Sequence, residues 1–273
     1  MTLNPRDTLD LLERYGLAPQ RAFGQNFVVD PNTVRKIARL ARVGPGDHVV
    51  EIGPGLGALT RALIETGAHV SGIEVDRGLA AYLRDEVVPL GATIIEADAL
   101  TIDWSSTLSR SEHWVLVANL PYNIATPLIA DILDGVPSIE RMLLMVQKEA
   151  AQRLCAVPGS KIYGGVSVKV ASWATAKIVG AVPPTVFIPR PKVDSALVEI
   201  TRIVPPPLPS GPERDLVFQL VTAGFGQRRK MLRRSLVGVM TADAIERSGV
   251  RPDARAEELD LAAWVRMAQN VTS

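Results

Sequence analysis

The chain carries a single cysteine, Cys155, in 273 residues. No internal disulfide can form, a cysteine-rich metal site is excluded, and no metal is expected. Cys155 itself is expected to be a small buried residue on a helix. No 18-residue apolar stretch is free of charge, so no transmembrane helix and no membrane partner are expected. The first 25 residues are polar and charged and lack an apolar h-region, so no secretory leader is expected. The expected compartment is the reducing cytoplasm. Aromatic residues make up only 5% of the chain, so an aromatic ring in a loop stands out. The net charge is +1, and the whole-chain balance announces no nucleic-acid partner. There is no internal repeat and no low-complexity segment, and nothing in the pattern requires an obligate interface, so a monomer is expected. What remains is 47% hydrophobic and 22% charged, an ordinary globular balance with enough length for one large domain and a small one.

Strand and helix patterns alternate along most of the chain. Asp7 to Tyr15 reads as a short helix closed by Gly16, followed by a polar loop through Phe27. Asp30-Pro31 reads as the cap and first-turn proline of a helix to about Arg42, stopped by Gly44-Pro45-Gly46. Apolar strands are expected at 48–53, 69–75, 93–98, 113–120 and 141–146, with helices at 56–66, 78–88, 127–133 and 147–156. That order implies a parallel sheet with helices on both faces. After a helix near 166–173, two strands at 177–182 and 196–201 have no helix between them, which implies an antiparallel hairpin closing the sheet. Residues 205–214 are proline-rich and read as a linker. Beyond them the period is helical throughout. The expected domains are 1–204, with 1–45 as a loop and helices over the site, and a small all-helical domain at 215–273.

Gly53-Pro54-Gly55-Leu56-Gly57 follows the first of these parallel strands and opens a helix. Glycines there let the backbone approach a ligand closely. Gly53-x-Gly55-x-x-Ala58 also fits a dinucleotide fingerprint, and Glu74, 21 residues after Gly53, suits an acid that accepts two ribose hydroxyls. NAD and S-adenosylmethionine enzymes share that carboxylate. Glu51 favours the second reading, because a carboxylate beside the turn suits ammonium and sulfonium charges and opposes a pyrophosphate. Asp98, at the end of the third strand, can accept from an adenine amine. Strand ends of an open parallel sheet converge on one crevice, so Gly53, Glu74, Asp98 and Asn119 are expected to line it. An NAD-dependent oxidoreductase remains the alternative, separable by nucleotide binding.

Asn119-Leu120-Pro121-Tyr122 lies at the tip of the fourth strand. An adenine exocyclic amine is a poor nucleophile because its lone pair is delocalised into the ring. Acceptors that hold its two hydrogens draw it toward tetrahedral geometry. The Asn119 side-chain carbonyl and the Leu120 backbone carbonyl are candidates for those acceptors. Pro121 brings no competing N–H, and Tyr122 offers a stacking face. Phe187, in the proline-rich connection 183–191, is expected to close the base sandwich from above. Five of the seven residues from Arg228 to Arg234 are basic. Arg229 with Arg233, and Lys230 with Arg234, fall at helical spacing, and with Arg228 they form a candidate clamp for RNA phosphates.

Taken together, Phe23-Gly24-Gln25-Asn26-Phe27, Glu51 to Gly57, Asn119 to Ile124, Gln147-Lys148-Glu149, Phe187 to Ser195 and Gln227 to Lys230 resemble the KsgA (RsmA) family of rRNA adenine dimethyltransferases. The resemblance covers nearly the whole chain, and the first three segments are shared with the related Erm enzymes. It implies a Rossmann-like class I methyltransferase sheet of seven strands with a helical C-terminal domain. It implies S-adenosylmethionine as donor and two adjacent adenosines near the 3′ end of small-subunit rRNA as target, within an immature small ribosomal subunit. By the same resemblance Asn26 and Val28 contact the cofactor from the N-terminal loop, Gly53 approaches its methionine part, Glu74 its ribose and Asp98 its adenine, Gly55 is among the cofactor-binding residues, and Asn119 meets both cofactor and amine. Val28 stands where the family often has leucine. An Erm-type large-subunit enzyme and a non-catalytic assembly factor are the remaining alternatives.

Overall fold

A computed structural model describes residues 3–20, 23–121, 124–208 and 210–271. The chain divides into two compact units, Met1–Ala151 with Lys177–Thr201, and Gln152–Ala176 with Arg202–Ser273. The first holds helices α1 (Pro5–Arg14), α2 (Pro31–Ala41), α3 (Ala58–Ile64), α4 (Arg77–Glu86), α5 (Trp104–Thr107) and α6 (Ala125–Gly135), while α7 (Lys148–Leu154) runs across the division after Ala151. The strands of the first unit are β1 (Phe27–Val28), β2 (His48–Ile52), β3 (His69–Glu74), β4 (Thr93–Glu96), β5 (Trp114–Asn119), β6 (Ile139–Gln147), β7 (Ala174–Val182), β8 (Phe187–Ile188) and β9 (Ser195–Arg202). The second unit holds α8 (Gly165–Ala171), α9 (Pro212–Gly226), α10 (Leu232–Ser235), α11 (Ala242–Arg247) and α12 (Leu261–Val271).

Seven strands form one sheet in the order β4-β3-β2-β5-β6-β9-β7. β2 to β6 pair in parallel, and β9 runs antiparallel to β6, inserted between it and β7. This is the mixed sheet the strand pattern implies. Register aligns Ile52 with Ile73 and Ala118, Glu74 with Glu96, and Asn119 with Met145, so the carboxyl ends of four strands finish at one level. The helices start where short polar side chains cap them. Asp30 accepts from Thr33 N at 2.9 Å ahead of Pro31, and Asp76 accepts from Gly78 N at 2.9 Å at the head of α4. Strand and helix faces then close over a core that includes Val49, Leu63, Tyr82, Leu83 and Val117.

Two expectations are corrected here. Residues 152–176 group with the C-terminal helices rather than the sheet, because Tyr163 and Val168 bury in one cluster with Val217, Leu220 and Trp264. The boundary expected at 204 therefore does not hold as a single cut. Nor is 205–214 a free linker. Leu208 and Arg214 are buried, and Arg214 donates to the Leu208 carbonyl at 2.5 Å and to Ser172 Oγ at 2.7 Å, with its guanidinium 4.0 Å from the Trp173 ring. Within this unit a methyl group on Gly224 would meet the Trp264 ring at 2.7 Å, so only glycine lets α9 approach α12 this closely.

Candidate active site

One cavity, about 1010 Å³ with its open mouth included, lies at the carboxyl ends of the strands. Asn26, Val28, Glu51, Gly53, Gly55, Glu74, Asp98, Asn119, Leu120 and Pro121 all line it. The parallel register delivers Glu51 to Gly55 at the end of β2, Glu74 at the end of β3, Asp98 after β4 and Asn119 to Pro121 at the end of β5, while Asn26 and Val28 come from the segment around β1. Among the described residues the lining holds three carboxylates and no lysine, arginine or histidine.

The glycine turn is held by the acid beneath it. Gly53 and Gly55 have φ of 70° and 61°, a region other residues enter at a cost. Gly55 N donates to Glu74 Oε2 at 3.0 Å, and Asp76 N donates to Oε1 at 3.1 Å. Each Glu74 oxygen keeps a second lone-pair direction for a ligand hydroxyl. A methyl on Gly55 would meet the Phe27 ring at 3.0 Å, so the turn, the acid and the N-terminal segment fit one another. Asp98 is exposed; its Oδ1 accepts from Leu100 N at 2.9 Å, leaving Oδ2 for a donor.

Glu51 is 2% exposed, and Oε2 accepts from Thr60 Oγ1 at 2.6 Å. Burial pushes its pKa up to about 8; the Thr60 hydrogen bond works against that, and the Glu74 charge adds to it. Burial also raises Glu74, against the backbone donors of Asp76 and Gly55. Two buried carboxylates on adjacent strands, with no cationic side chain beside them among the described residues, are costly when ionised and favour a positively charged ligand.

Asn119 Nδ2 donates to the Asn26 carbonyl at 3.0 Å. That bond assigns the amide orientation and leaves Oδ1 without a donor among the described residues. Leu120 N donates to Met145 O at 3.1 Å, and no described donor occupies the Leu120 carbonyl. Asn119 and Leu120 both line the cavity, and neither oxygen is taken by a donor among the described residues. Tyr122 lies outside the described residues.

The N-terminal segment over the cavity is pinned at three places. Phe27 and Val28 pair antiparallel with Ile188 and Phe187, Asn26 holds Asn119, and Gln20 and Gln25 both donate to Asp76 Oδ2, at 2.8 and 3.0 Å. Sequence reasoning missed Thr60, Asp76, Gln20 and the two-residue pairing. Asp76 was legible only as a helix cap, and two paired residues are too few to show a period. Phe187 is corrected by this pairing. It is 3% exposed in the core with Val28, Leu143 and Leu197, and it does not line the cavity, so its ring plugs the base of the segment.

The basic run is also corrected. α9 ends at Gly226, residues 227–230 form a turn, and Met231 bridges Arg255 before the four-residue α10. Leu232 N and Arg233 N donate to the Ala254 and Pro252 carbonyls, so long-range bonds replace helical ones. Helical stripes through 228–234 do not form. Arg228 is held by Glu257 Oε2 at 2.8 Å and the Lys161 carbonyl. Arg229, Lys230, Arg233 and Arg234 are exposed, with no carboxylate partner among the described residues. Cys155 is half-buried just past the end of α7, with its thiol pushed up to about 11 by burial, and is therefore inert at neutral pH. No group of metal-ligating side chains occurs among the described residues.

S-Adenosylmethionine fits this lining: carboxylates for its ammonium and sulfonium, Glu74 for the ribose hydroxyls, Asp98 for the adenine amine. A pyrophosphate beside Glu51 does not. The whole-chain comparisons agree. A protein of Bifidobacterium longum subsp. infantis described as ribosomal RNA small subunit methyltransferase A is 44% identical over 94% of this chain and 90% of its own. The protein of the same description from Cutibacterium acnes is 45% identical over 98% and 93%. The crystal structure of a dimethyladenosine transferase from Plasmodium falciparum shares the fold, with a TM-score of 0.74 at 24% identity over 87% of this chain and 94% of its own. The structure of the 23S rRNA methyltransferase ErmE superposes with a TM-score of 0.70 at 27% identity over 91% and 100%. Residues 17–273 match the ribosomal RNA adenine dimethylase family, and the chain belongs to that family, whose members are S-adenosylmethionine-dependent rRNA adenine dimethyltransferases.

Proposed function

We propose that this enzyme dimethylates the exocyclic amines of two adjacent adenosines near the 3′ end of small-subunit rRNA, acting as a monomer in the cytoplasm on an immature small ribosomal subunit. The observation that carries the chemistry is the Asn119 amide, turned by the Asn26 carbonyl so that its oxygen meets no donor among the described residues, in the same cavity as Leu120.

S-Adenosylmethionine supplies an electrophilic methyl group when bound. Glu51 is assigned to its ammonium end, Glu74 to the ribose, Asp98 to the adenine, and the Gly53–Gly57 backbone to close approach. Asn119 Oδ1 and the Leu120 carbonyl accept the two hydrogens of the target amine and localise its lone pair. Pro121 leaves that carbonyl without a local competitor. Tyr122, next in sequence, is assigned the stacking face. After each transfer the amine carries a positive charge and sheds one proton to water along its hydrogen bond to a carbonyl; the monomethylated amine that enters the second transfer has one hydrogen left, so a single carbonyl holds it. No strong base is needed, because the product ammonium is acidic; the catalysis is positioning and electrostatics. Arg229, Lys230, Arg233 and Arg234 are assigned to RNA phosphates, which position the substrate without reading its sequence.

Substrate choice is tested by supplying, side by side, small subunits lacking the modification and protein-free large-subunit rRNA. Dimethyladenosine in the small-subunit RNA alone is the expected result. Modification of the large-subunit RNA alone would replace this reading with the Erm-type one.

A further inference from the structure

Along α2 and the β9–β7 side of the sheet, five cations gather around little negative charge. Lys36 and Arg39 lie on α2 one turn apart, Arg42 caps that helix, Arg141 is the third residue of β6, and Lys177 lies on β7. Arg42 Nη2 and Lys177 Nζ share one carboxylate, Glu199, at 2.5 and 2.9 Å. Arg141 donates to the Ala41 and Arg42 carbonyls, the free C-terminal groups of α2. Lys36 Nζ stands 3.1 Å from where a Cβ on Gly180 would lie, which places it over β7. No described carboxylate pairs with Lys36 or Arg39. Arg42 and Lys177 side chains are 60% and 65% exposed, whereas Glu199 is 10% exposed.

Glu199 and the partly screening Asp47 are the acids facing Arg141, so the surface carries a surplus of about three positive charges. Burial and the Arg42 charge lower the pKa of Arg141, against Glu199 and Asp47. Arg42 also has φ of 50°, the left-handed cap position where glycine or asparagine is the usual occupant. An arginine there keeps a charge at a backbone cost.

We propose that this surface is a second anchor for the RNA substrate, binding phosphates outside the target adenosines. Arg141 lies four residues before Met145, the register partner of Asn119, on β6, so the surface runs from Arg141, roughly 13 Å down the strand from the amine-binding end, up to Lys36 beside Gly180 and Leu197, the partner of Met145. Arg141 is tied to the end of α2, Arg42 and Lys177 share the single charge of Glu199 and so leave one positive charge in surplus, and Lys36 and Arg39 have no described carboxylate partner. The anchor rests on the small-subunit reading above, and it adds a contact belonging to the sheet unit itself.

The test is the combined variant Lys36→Gln, Arg39→Gln, Lys177→Gln, which leaves Arg42 on Glu199. Methylation of unmodified small subunits is followed from 50 to 200 mM salt, with binding to protein-free small-subunit rRNA measured beside it. The expected result is a KM about tenfold higher near 150 mM salt, and a salt slope shallower by about 2, with 0.7–0.9 per lost phosphate contact. Turnover, S-adenosylmethionine affinity and melting temperature stay at wild-type values, and Lys36→Arg, Arg39→Lys, Lys177→Arg restores binding. Unchanged KM and slope in a folded variant would overturn the anchor. Weaker binding to subunits with unchanged binding to naked rRNA would move the partner to a ribosomal protein and also overturn it. A wild-type enzyme that leaves small subunits unmethylated would remove the small-subunit reading, and the anchor with it.

Discussion

Glu51 is kept in the protein at a cost that its replacement would expose. In the folded enzyme its pKa is raised from 4.5 to about 8 by burial. The folded state therefore holds a proton that the unfolded state releases between those values, and stability falls as pH rises from 4.5 toward 8. At 1.36 kcal/mol per unit, the penalty at pH 7 is about 3 kcal/mol. Below pH 4.5 both states are protonated and the penalty vanishes. Glu51→Gln is neutral, nearly isosteric and still able to accept from Thr60, so it removes the penalty. For a unit of this size, about 3 kcal/mol corresponds to roughly 6–12 °C in melting temperature. Thermal unfolding without cofactor, at pH 5, 6, 7 and 8, is expected to show the variant above the wild type by a margin that widens with pH. S-Adenosylmethionine is expected to stabilise the wild type and release close to one proton at pH 7, while stabilising the variant far less. A variant that is destabilised, or whose margin does not grow with pH, would refute this assignment of Glu51.

Other consequences follow from the same geometry. Gly55→Ala forces a methyl into the Phe27 ring at a left-handed backbone position; a loss of about 1–3 kcal/mol and weaker cofactor binding are expected by thermal unfolding and titration calorimetry. Arg228→Ala breaks its ties to Glu257 and Lys161, so melting temperature should fall while the salt slope of RNA binding stays put; Arg229→Ala should lower that slope by about 0.7–0.9 and leave melting unchanged. Replacing Gln20 and Gln25 together by alanine frees Asp76 Oδ2 from the N-terminal segment, and faster amide exchange at residues 23–28 is expected by hydrogen–deuterium exchange.

The sheet was legible because buried parallel strands read as short apolar runs, and because glycine and proline mark where each run stops. Capped helices such as the one opened by Asp30-Pro31 were legible for the same local reason. The cavity residues could be named because strand ends must converge once the strand order is parallel. What local pattern does not carry is partnership across distance. Gln227 to Arg234 has the composition of a helix, yet Met231 pairs with Arg255 and the helix stops at Gly226. Phe187 stands alone in a proline-rich stretch, as a stacking ring would, yet its backbone partner Val28 turns it into the core. Arg214 sits in proline-rich surroundings and is buried against Trp173. In each case a contact with a remote segment overrode a sound local reading.

The central claim is that the crevice at Asn119 transfers methyl groups from S-adenosylmethionine to adenine amines of rRNA. The most direct measurement supplies labelled S-adenosylmethionine and unmodified small subunits to the wild type and to Asn119→Ala, and quantifies dimethyladenosine by nucleoside mass spectrometry. The wild type should yield dimethyladenosine. Asn119→Ala should fall by about 100-fold or more in turnover, the scale of losing a transition-state hydrogen-bonding group, while retaining much of its RNA affinity. Absence of dimethyladenosine from a wild type that binds both cofactor and RNA, or normal turnover by Asn119→Ala, would contradict the account.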